Sequence, residues 1–279
     1  MHRLPVIALS DGSRLPSIGF GTYPLRGAEG TAAIVSALAA GYRLIDSAVR
    51  YENEDAVAAA LGETSVPRSE IIVQSKLAGA DHGYAETLAA VDRSRQALGV
   101  ETIDSYLIHW PNPNQNRYVD SWRALIELRD GGVIRSIGVS NFTRTHLERL
   151  AAETGVLPAV NQIELHPMFP QEELLRFHED VGIVTQAWSP LGKASAPYAE
   201  PVIARAALAH GVTPAQVILR WHLQRGSLPL PKSAHPDRQA ANLALGGFVL
   251  TDEEVAGITA LGRPDGRLFG ADPNTHEEF

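Results

Sequence analysis

Along most of this chain the hydrophobic positions switch between two periods. Apolar residues recur every three or four positions through 29–40, 54–61, 84–98, 119–128, 145–152 and 171–179, one helical face in each case. Between these stretches lie short β-branched runs at 71–73, 103–108, 134–139, 160–165 and 183–188, which read as strands. Glycines at the helix exits, as in Ala40-Gly41, Leu98-Gly99 and Val181-Gly182, mark the boundaries. Strand-helix units of roughly 30 residues predict a parallel sheet, and eight of them close into an α/β (β/α)₈ TIM barrel.

Both ends depart from the repeat. Residues 4–18 alternate apolar and polar around Asp11-Gly12, a turn signal, and predict a small β-hairpin. The segment 19–23, with Gly19 and Gly21, ends the first barrel strand, and its glycines would let backbone approach a ligand closely. After the seventh strand comes a loop at 189–197, then two extra helices at 201–210 and 214–224, with Thr213 as N-cap ahead of Pro214. A last short strand near Leu228, helices at about 236–245 and 252–261, and a polar tail at 262–279 complete the chain. The 279 residues read as one domain, 1–279, with no linker or low-complexity tract.

Three of the strands end in chemistry. Leu44-Ile45 stops at Asp46, and Tyr51 follows five residues later in a segment too polar to extend the strand. The run from Ile71 delivers Lys76, and the run from Ile103 delivers His109. A phenol with an ordinary pKa of about 10 is a poor acid at neutral pH, but a nearby ammonium favours its ionised form. Lys76 would supply that charge, Asp46 would keep Lys76 charged and aimed, and a neutral His109 would hydrogen-bond a carbonyl oxygen. A hydride would have to come from a cofactor, since no side chain donates one. Taken singly, Asp46 also reads as a strand-end cap and Tyr51 as a surface phenol.

Composition narrows the field. The chain is 44% hydrophobic and 20% charged, an ordinary globular mixture. A formal charge of -8 argues against nucleic acid or an anionic membrane as partner. No cysteine is present, so disulfide and thiolate chemistry are excluded and any metal site would have to use histidine and carboxylate ligands; the carbonyl chemistry read from the strand ends requires no metal. No run of about 18 apolar residues occurs, and a cytoplasmic protein is expected.

The chain resembles the aldo-keto reductases. The blocks that carry the resemblance are Gly19-Phe20-Gly21-Thr22, Asp46-Ser47-Ala48 with Tyr51-Glu52-Asn53, Lys76, Leu107-Ile108-His109-Trp110-Pro111, Gly138-Val139-Ser140-Asn141-Phe142, Gln162 and Leu230-Pro231-Lys232-Ser233. Their joint order spans more than two hundred residues, and among bacterial members the likeness is to 2,5-diketo-D-gluconate reductases. The resemblance implies an NADPH-dependent reduction of aldehydes or ketones, reversible toward alcohol oxidation, by a monomer with a hairpin closing the barrel floor. The catalytic tetrad it implies is Tyr51, Asp46, Lys76 and His109. Gly21 and Thr22 would border the cofactor, and Ser140, Asn141 and Gln162 would hold its nicotinamide carboxamide. Trp188 would stack where the family usually has tyrosine, and Ser189 and Leu191, with Lys193 beside them, would lie in the loop over the pyrophosphate.

Lys232, Ser233 and Arg238 would bind a 2′-phosphate and so favour NADP over NAD. Asn242, on the helical face of Arg238, would contact adenine; the acid common one residue earlier in the family is Ala241 here. The Gly-x-Gly-x-x-Gly phosphate cradle of doubly wound dinucleotide enzymes is absent after any early strand. Tyr23 and Trp110 would line the substrate pocket, which suits a small polar carbonyl compound such as a dicarbonyl or keto sugar acid. Two other readings stand beside this one: a nicotinamide-binding regulatory subunit with vestigial catalysis, and a cofactor-free lyase using Lys76 as a Schiff-base nucleophile.

Overall fold

The computed structural model describes residues 4–193 and 197–279. Residues 194–196, within the loop read from the sequence at 189–197, lie outside the described residues. The predicted hairpin is present as β1 (Val6–Ala8) and β2 (Arg14–Pro16), paired antiparallel. The barrel strands follow as β3 (Phe20–Gly21), β4 (Leu44–Asp46), β5 (Ile72–Leu77), β6 (Ile103–Ile108), β7 (Ile134–Ser140), β8 (Val160–Glu164), β9 (Val184–Trp188) and β10 (Leu228–Pro229). They form one eight-stranded sheet in sequence order, each neighbour parallel.

Closure of the sheet explains the glycines of β3. Gly19 N–H donates to Pro229 O at 3.1 Å and Gly21 N–H to Pro231 O at 3.2 Å, which joins the first strand to the last. A Cβ on Gly19 would sit 2.5 Å from a Leu230 methyl, and one on Gly21 would sit 3.0 Å from the Leu230 carbonyl. The close approach that these glycines permit is strand to strand, and Gly21 also borders the pocket at the strand's end. β10 is short because Pro229 and Pro231 have no N–H to extend a ladder.

The helices cover the outside: α1 (Gly27–Ala40), α2 (Glu54–Glu63), α3 (Tyr84–Leu98), α4 (Tyr118–Asp130), α5 (Arg144–Thr154), α6 (Glu172–Val181), α7 (Pro201–His210), α8 (Pro214–Gln224), α9 (Pro236–Leu243) and α10 (Asp252–Thr259). Their apolar stripes bury Ile34, Leu38, Val91, Trp122, Leu125 and Leu147 against the outward faces of the strands. Thr213 caps α8 as expected, its hydroxyl accepting from Gln216 N–H while the Gln216 side chain accepts from Thr213 N–H. α9 ends two residues earlier than the periodicity suggested. Among the described residues no single helix is long and apolar enough to cross a membrane.

Inside the barrel the two-residue period of the strands stacks side chains in layers. Leu44, Leu107, Val160 and Leu228 form an apolar floor with Leu9 and Leu15 from the hairpin. Above it, Gln74, Gln162 and Gln186 are fully buried and bonded to one another at 2.8–3.0 Å, a polar layer where branched apolar side chains are the norm. Two residues beyond these positions in β5 and β9 come Lys76 and Trp188, and Asp46 and His109 stand at the ends of β4 and β6, all at the C-terminal mouth.

The tail lies across that mouth. Gly266 packs so closely on Met168 that a Cβ would fall 1.8 Å from its carbonyl oxygen, and Leu268 N–H donates to the buried carboxylate of Glu164 at 2.6 Å. Further along, Asn112 Nδ2 donates to Glu278 O at 2.8 Å, and Glu278 N–H donates to Asn112 Oδ1 at 3.1 Å.

Candidate active site

Lys76 is fully buried, yet three oxygens satisfy its ammonium: Asp46 Oδ1 at 2.8 Å, Asp46 Oδ2 at 2.9 Å and Ser47 O at 2.8 Å. Burial by itself would drive the Lys76 pKa down, but the Asp46 carboxylate and the Tyr51 hydroxyl together outweigh it and the ammonium is held above its usual range. Asp46 is held in turn by Gln74 Nε2 at 2.6 Å and Gln162 Nε2 at 3.0 Å. The glutamine layer is thus the platform on which the ion pair stands.

Tyr51 ends a single 3₁₀ turn, Val49–Tyr51, just beyond β4, and its hydroxyl lies 3.4 Å from Lys76 Nζ. Burial raises the phenol pKa more than the Lys76 charge lowers it, and Asp46 adds to the rise. This corrects the expectation of a net depressed phenol. The ammonium moderates the shift, and Tyr51 retains its proton at neutral pH, the state that a proton donor needs. The ring of His109 stands edge-on to that of Tyr51, centroids 5.6 Å apart. His109 Nδ1 also lies 2.7 Å from Glu278 Oε1, although the ring N–H points off the line to that oxygen.

These groups open onto a pocket of about 770 Å³ lined by Tyr51, Asp46, His109, Trp188, Lys193 and Lys232 among others. Tyr23, Trp110, Gly21, Thr22, Asn141, Gln162, Ser189 and Leu191 also border it. Thr22 is fully buried, its hydroxyl donating to Asp46 O at 3.0 Å and accepting from Asn53 at 3.0 Å. Asn141 has a left-handed backbone, with Nδ2 donating to His109 O at 3.0 Å and Oδ1 accepting the Trp188 indole N–H at 2.8 Å. The indole is thereby fixed at one edge, borders the cavity and stacks with Phe269, ring centroids 6.2 Å apart. Ser140 donates to Gln162 O at 2.8 Å and accepts from Asn141; it lies behind the pocket wall. Lys193 lies over the rings of both Tyr23 and Phe269, 5.4 Å and 4.6 Å from their centroids.

The second cation cluster is away from the tetrad. Lys232 and Arg238 are exposed, and Ser233 Oγ accepts from His235 N–H at 3.0 Å and from Arg238 Nε at 3.3 Å at the start of α9. This is a helix N-terminus flanked by two cations and a hydroxyl, a donor set that fits a phosphate. Asn242 is buried on α9, near the Tyr42 phenol, whose hydroxyl donates to Gln239 O at 3.4 Å.

Sequence reasoning missed three participants. Gln74 and Gln186 stand two residues before Lys76 and Trp188 on the same strand faces, so the alternation held a usable signal. Glu278 carried no such signal, because a tail without periodicity does not show where it lands.

The aldo/keto reductase family model matches residues 17–263. The chain is 52% identical over 279 residues to 2,5-diketo-D-gluconic acid reductase B of Corynebacterium sp. (strain SHS752001), covering all of both chains. It is 42% identical over 281 residues to morphine 6-dehydrogenase of Pseudomonas putida, covering 96% of this chain and 94% of that one. A solved structure of a Gox0644 point mutant in complex with NADPH superposes with a TM-score of 0.93 at 44% identity, covering 98% of each chain. With the match spanning the barrel and every block of the tetrad, the chain belongs to the aldo-keto reductase family.

Proposed function

We propose that this reductase reduces small aldehydes or ketones with NADPH, with Tyr51 as the proton donor to the forming alkoxide. The observation that carries the reading is the Tyr51 hydroxyl 3.4 Å from a buried Lys76 ammonium that Asp46 holds from both carboxylate oxygens. The donor set fits the cofactor: a phosphate-sized cluster at Lys232, Ser233 and Arg238, an aromatic face at Trp188, and the pocket of about 770 Å³ beyond it. Bound there, NADPH supplies the hydride. NADPH in the Gox0644 structure supports that choice of cofactor.

The side chains divide the remaining work. Trp188, pinned through its indole N–H, presents a flat wall for a pyridine ring, and Asn141 and Gln162 offer amide groups beside it. His109 and Tyr51 converge on the space that a carbonyl oxygen would occupy, so the oxygen is oriented and protonated in one place. Lys76 stabilises the phenolate left after proton transfer and Asp46 holds the ammonium in position. The same groups serve alcohol oxidation in reverse, in keeping with the dehydrogenase name of the Pseudomonas relative. Lys76 is a poor Schiff-base nucleophile, because its ammonium is ion-paired and has no exposure.

The reductase name of the Corynebacterium relative supports a dicarbonyl or keto sugar acid as substrate class. The direct test is a carbonyl panel assayed by NADPH absorbance and repeated with NADH. Turnover of small dicarbonyls with preference for NADPH is expected, and absence of any carbonyl-dependent NADPH oxidation overturns the reading.

A further inference from the structure

The contact between the tail and His109 is a deep one. Both side chains are about nine-tenths buried, and Glu278 Oε1 is the one acidic oxygen paired with His109 Nδ1 among the described residues. The other carboxylate oxygen, Oε2, accepts Gly79 N–H at 3.0 Å. Asn112 grips the Glu278 backbone from both sides, and Asn114 N–H donates to Glu277 Oε1 at 2.6 Å. A Cβ on Gly79 would lie 2.1 Å from Glu278 O and 2.3 Å from Asn112 Nδ2, so glycine is required there for the tail to seat. His276 packs on Trp110, centroids 4.3 Å apart, beside the same histidine.

We propose that Glu278 is a positioning residue for His109. Its carboxylate, 2.7 Å from Nδ1, takes the Nδ1 proton once the ring N–H swings onto the line between them, and so fixes that tautomer and turns Nε2 toward the pocket. The inference rests on the reductase reading, in which His109 orients the carbonyl oxygen. The task needs a carboxylate: one oxygen serves Gly79 N–H while the other serves Nδ1, and an amide offers one acceptor where two are needed. Burial would raise the Glu278 pKa, but His109, Gly79 N–H and Arg50 together hold it below the usual carboxylate range, so the acceptor is ionised at neutral pH. The charged and titratable groups around it are Arg50 from the turn after β4, His82 from the segment after β5 and His109 after β6; Lys76, Asp46 and Tyr51 lie beyond His109. His82 is buried with a pKa lowered to about 4, chiefly by burial, and stays neutral there.

The test compares Glu278→Gln, Gly79→Ala, Glu277→Gln and Tyr51→Phe in the full chain. Carbonyl kinetics, NADPH binding by fluorescence and the ¹⁵N spectrum of the His109 ring are the readouts. Glu278→Gln and Gly79→Ala should each lower kcat/KM for the carbonyl about tenfold or more, the scale for losing the partner that orients a functional histidine. NADPH affinity should hold within about twofold, and Glu277→Gln should behave as wild type. The wild-type ring should show hydrogen on Nδ1, and Glu278→Gln should change that signature. An unchanged His109 spectrum and undiminished kcat/KM in Glu278→Gln overturn the proposal even where Tyr51→Phe is inactive. An active Tyr51→Phe overturns the reductase mechanism instead, while the ring spectrum still reads the Glu278 contact.

Discussion

Replacing Lys76 with methionine keeps the length of a buried stem and removes the charge. The variant strips both Asp46 oxygens of their ammonium donor, at 2.8 Å and 2.9 Å, and takes the 2.8 Å donor from Ser47 O. Asp46 Oδ1 keeps Gln74 and Gln162, but the carboxylate is left as a lone charge in a nearly closed site. Breaking a buried pair on one side typically costs ~3–5 kcal/mol, a large share of a domain stability of about 5–15 kcal/mol. Adding Asp46→Asn removes the stranded charge while its amide oxygen still accepts from the two glutamines. The double variant should therefore be roughly 2 kcal/mol more stable than Lys76→Met alone, the coupling expected for neighbours in one network. Urea unfolding of the wild type, both single variants and the pair measures this. Turnover should stay low in all three, down on the order of 10²-fold or more, because the phenol loses its ammonium or the ammonium its anchor. Additive stability losses, or a double variant with near wild-type turnover, would refute the argument.

Two further outcomes follow from other parts of the molecule. Arg238→Met should raise the KM for NADPH about tenfold and change that for NADH little, because one charge-assisted phosphate contact is worth ~1.5–3 kcal/mol; equal effects on both cofactors would move the 2′-phosphate elsewhere. Burial lowers the pKa of His82 to about 4 and of His178 and His222 to about 3. These depressed bases are neutral when folded, so their contribution is complete above an unfolded pKa of about 6.5 and declines as pH falls toward the folded values. Each should cost up to about 1.4 kcal/mol per pH unit over that window, and a urea midpoint flat from about pH 7 to about pH 5 would contradict it.

Much of this architecture was legible because two periods carry it. The strand-end positions of Asp46 and His109 follow from apolar runs that stop abruptly, and Lys76 stands out as the one cation in its run even though β5 continues to Leu77. The same alternation placed Gln74 and Gln186 below the site, yet isolated glutamines in apolar strands carry no signal of one another until closure brings β5 and β9 across the barrel. Tyr51 shows where chemistry read from residue types stops: the ammonium was anticipated, but the burial that outweighs it depends on the packed surroundings. Glu278 is the extreme case, at the far end of the sequence from His109 and 2.7 Å away in space, in a tail held by backbone bonds and a glycine that no pattern announces.

The reading of the site comes down to one phenolic hydroxyl. Tyr51→Phe removes that oxygen and leaves the Lys76–Asp46 pair in place. NADPH titration by fluorescence together with single-turnover reduction of a carbonyl compound tests it most directly. Cofactor affinity within about twofold of wild type, with the chemical step slowed by roughly 10²–10⁴-fold, is the expected result. A Tyr51→Phe protein that binds NADPH normally and reduces the carbonyl at the wild-type rate would mean that the proton comes from another group.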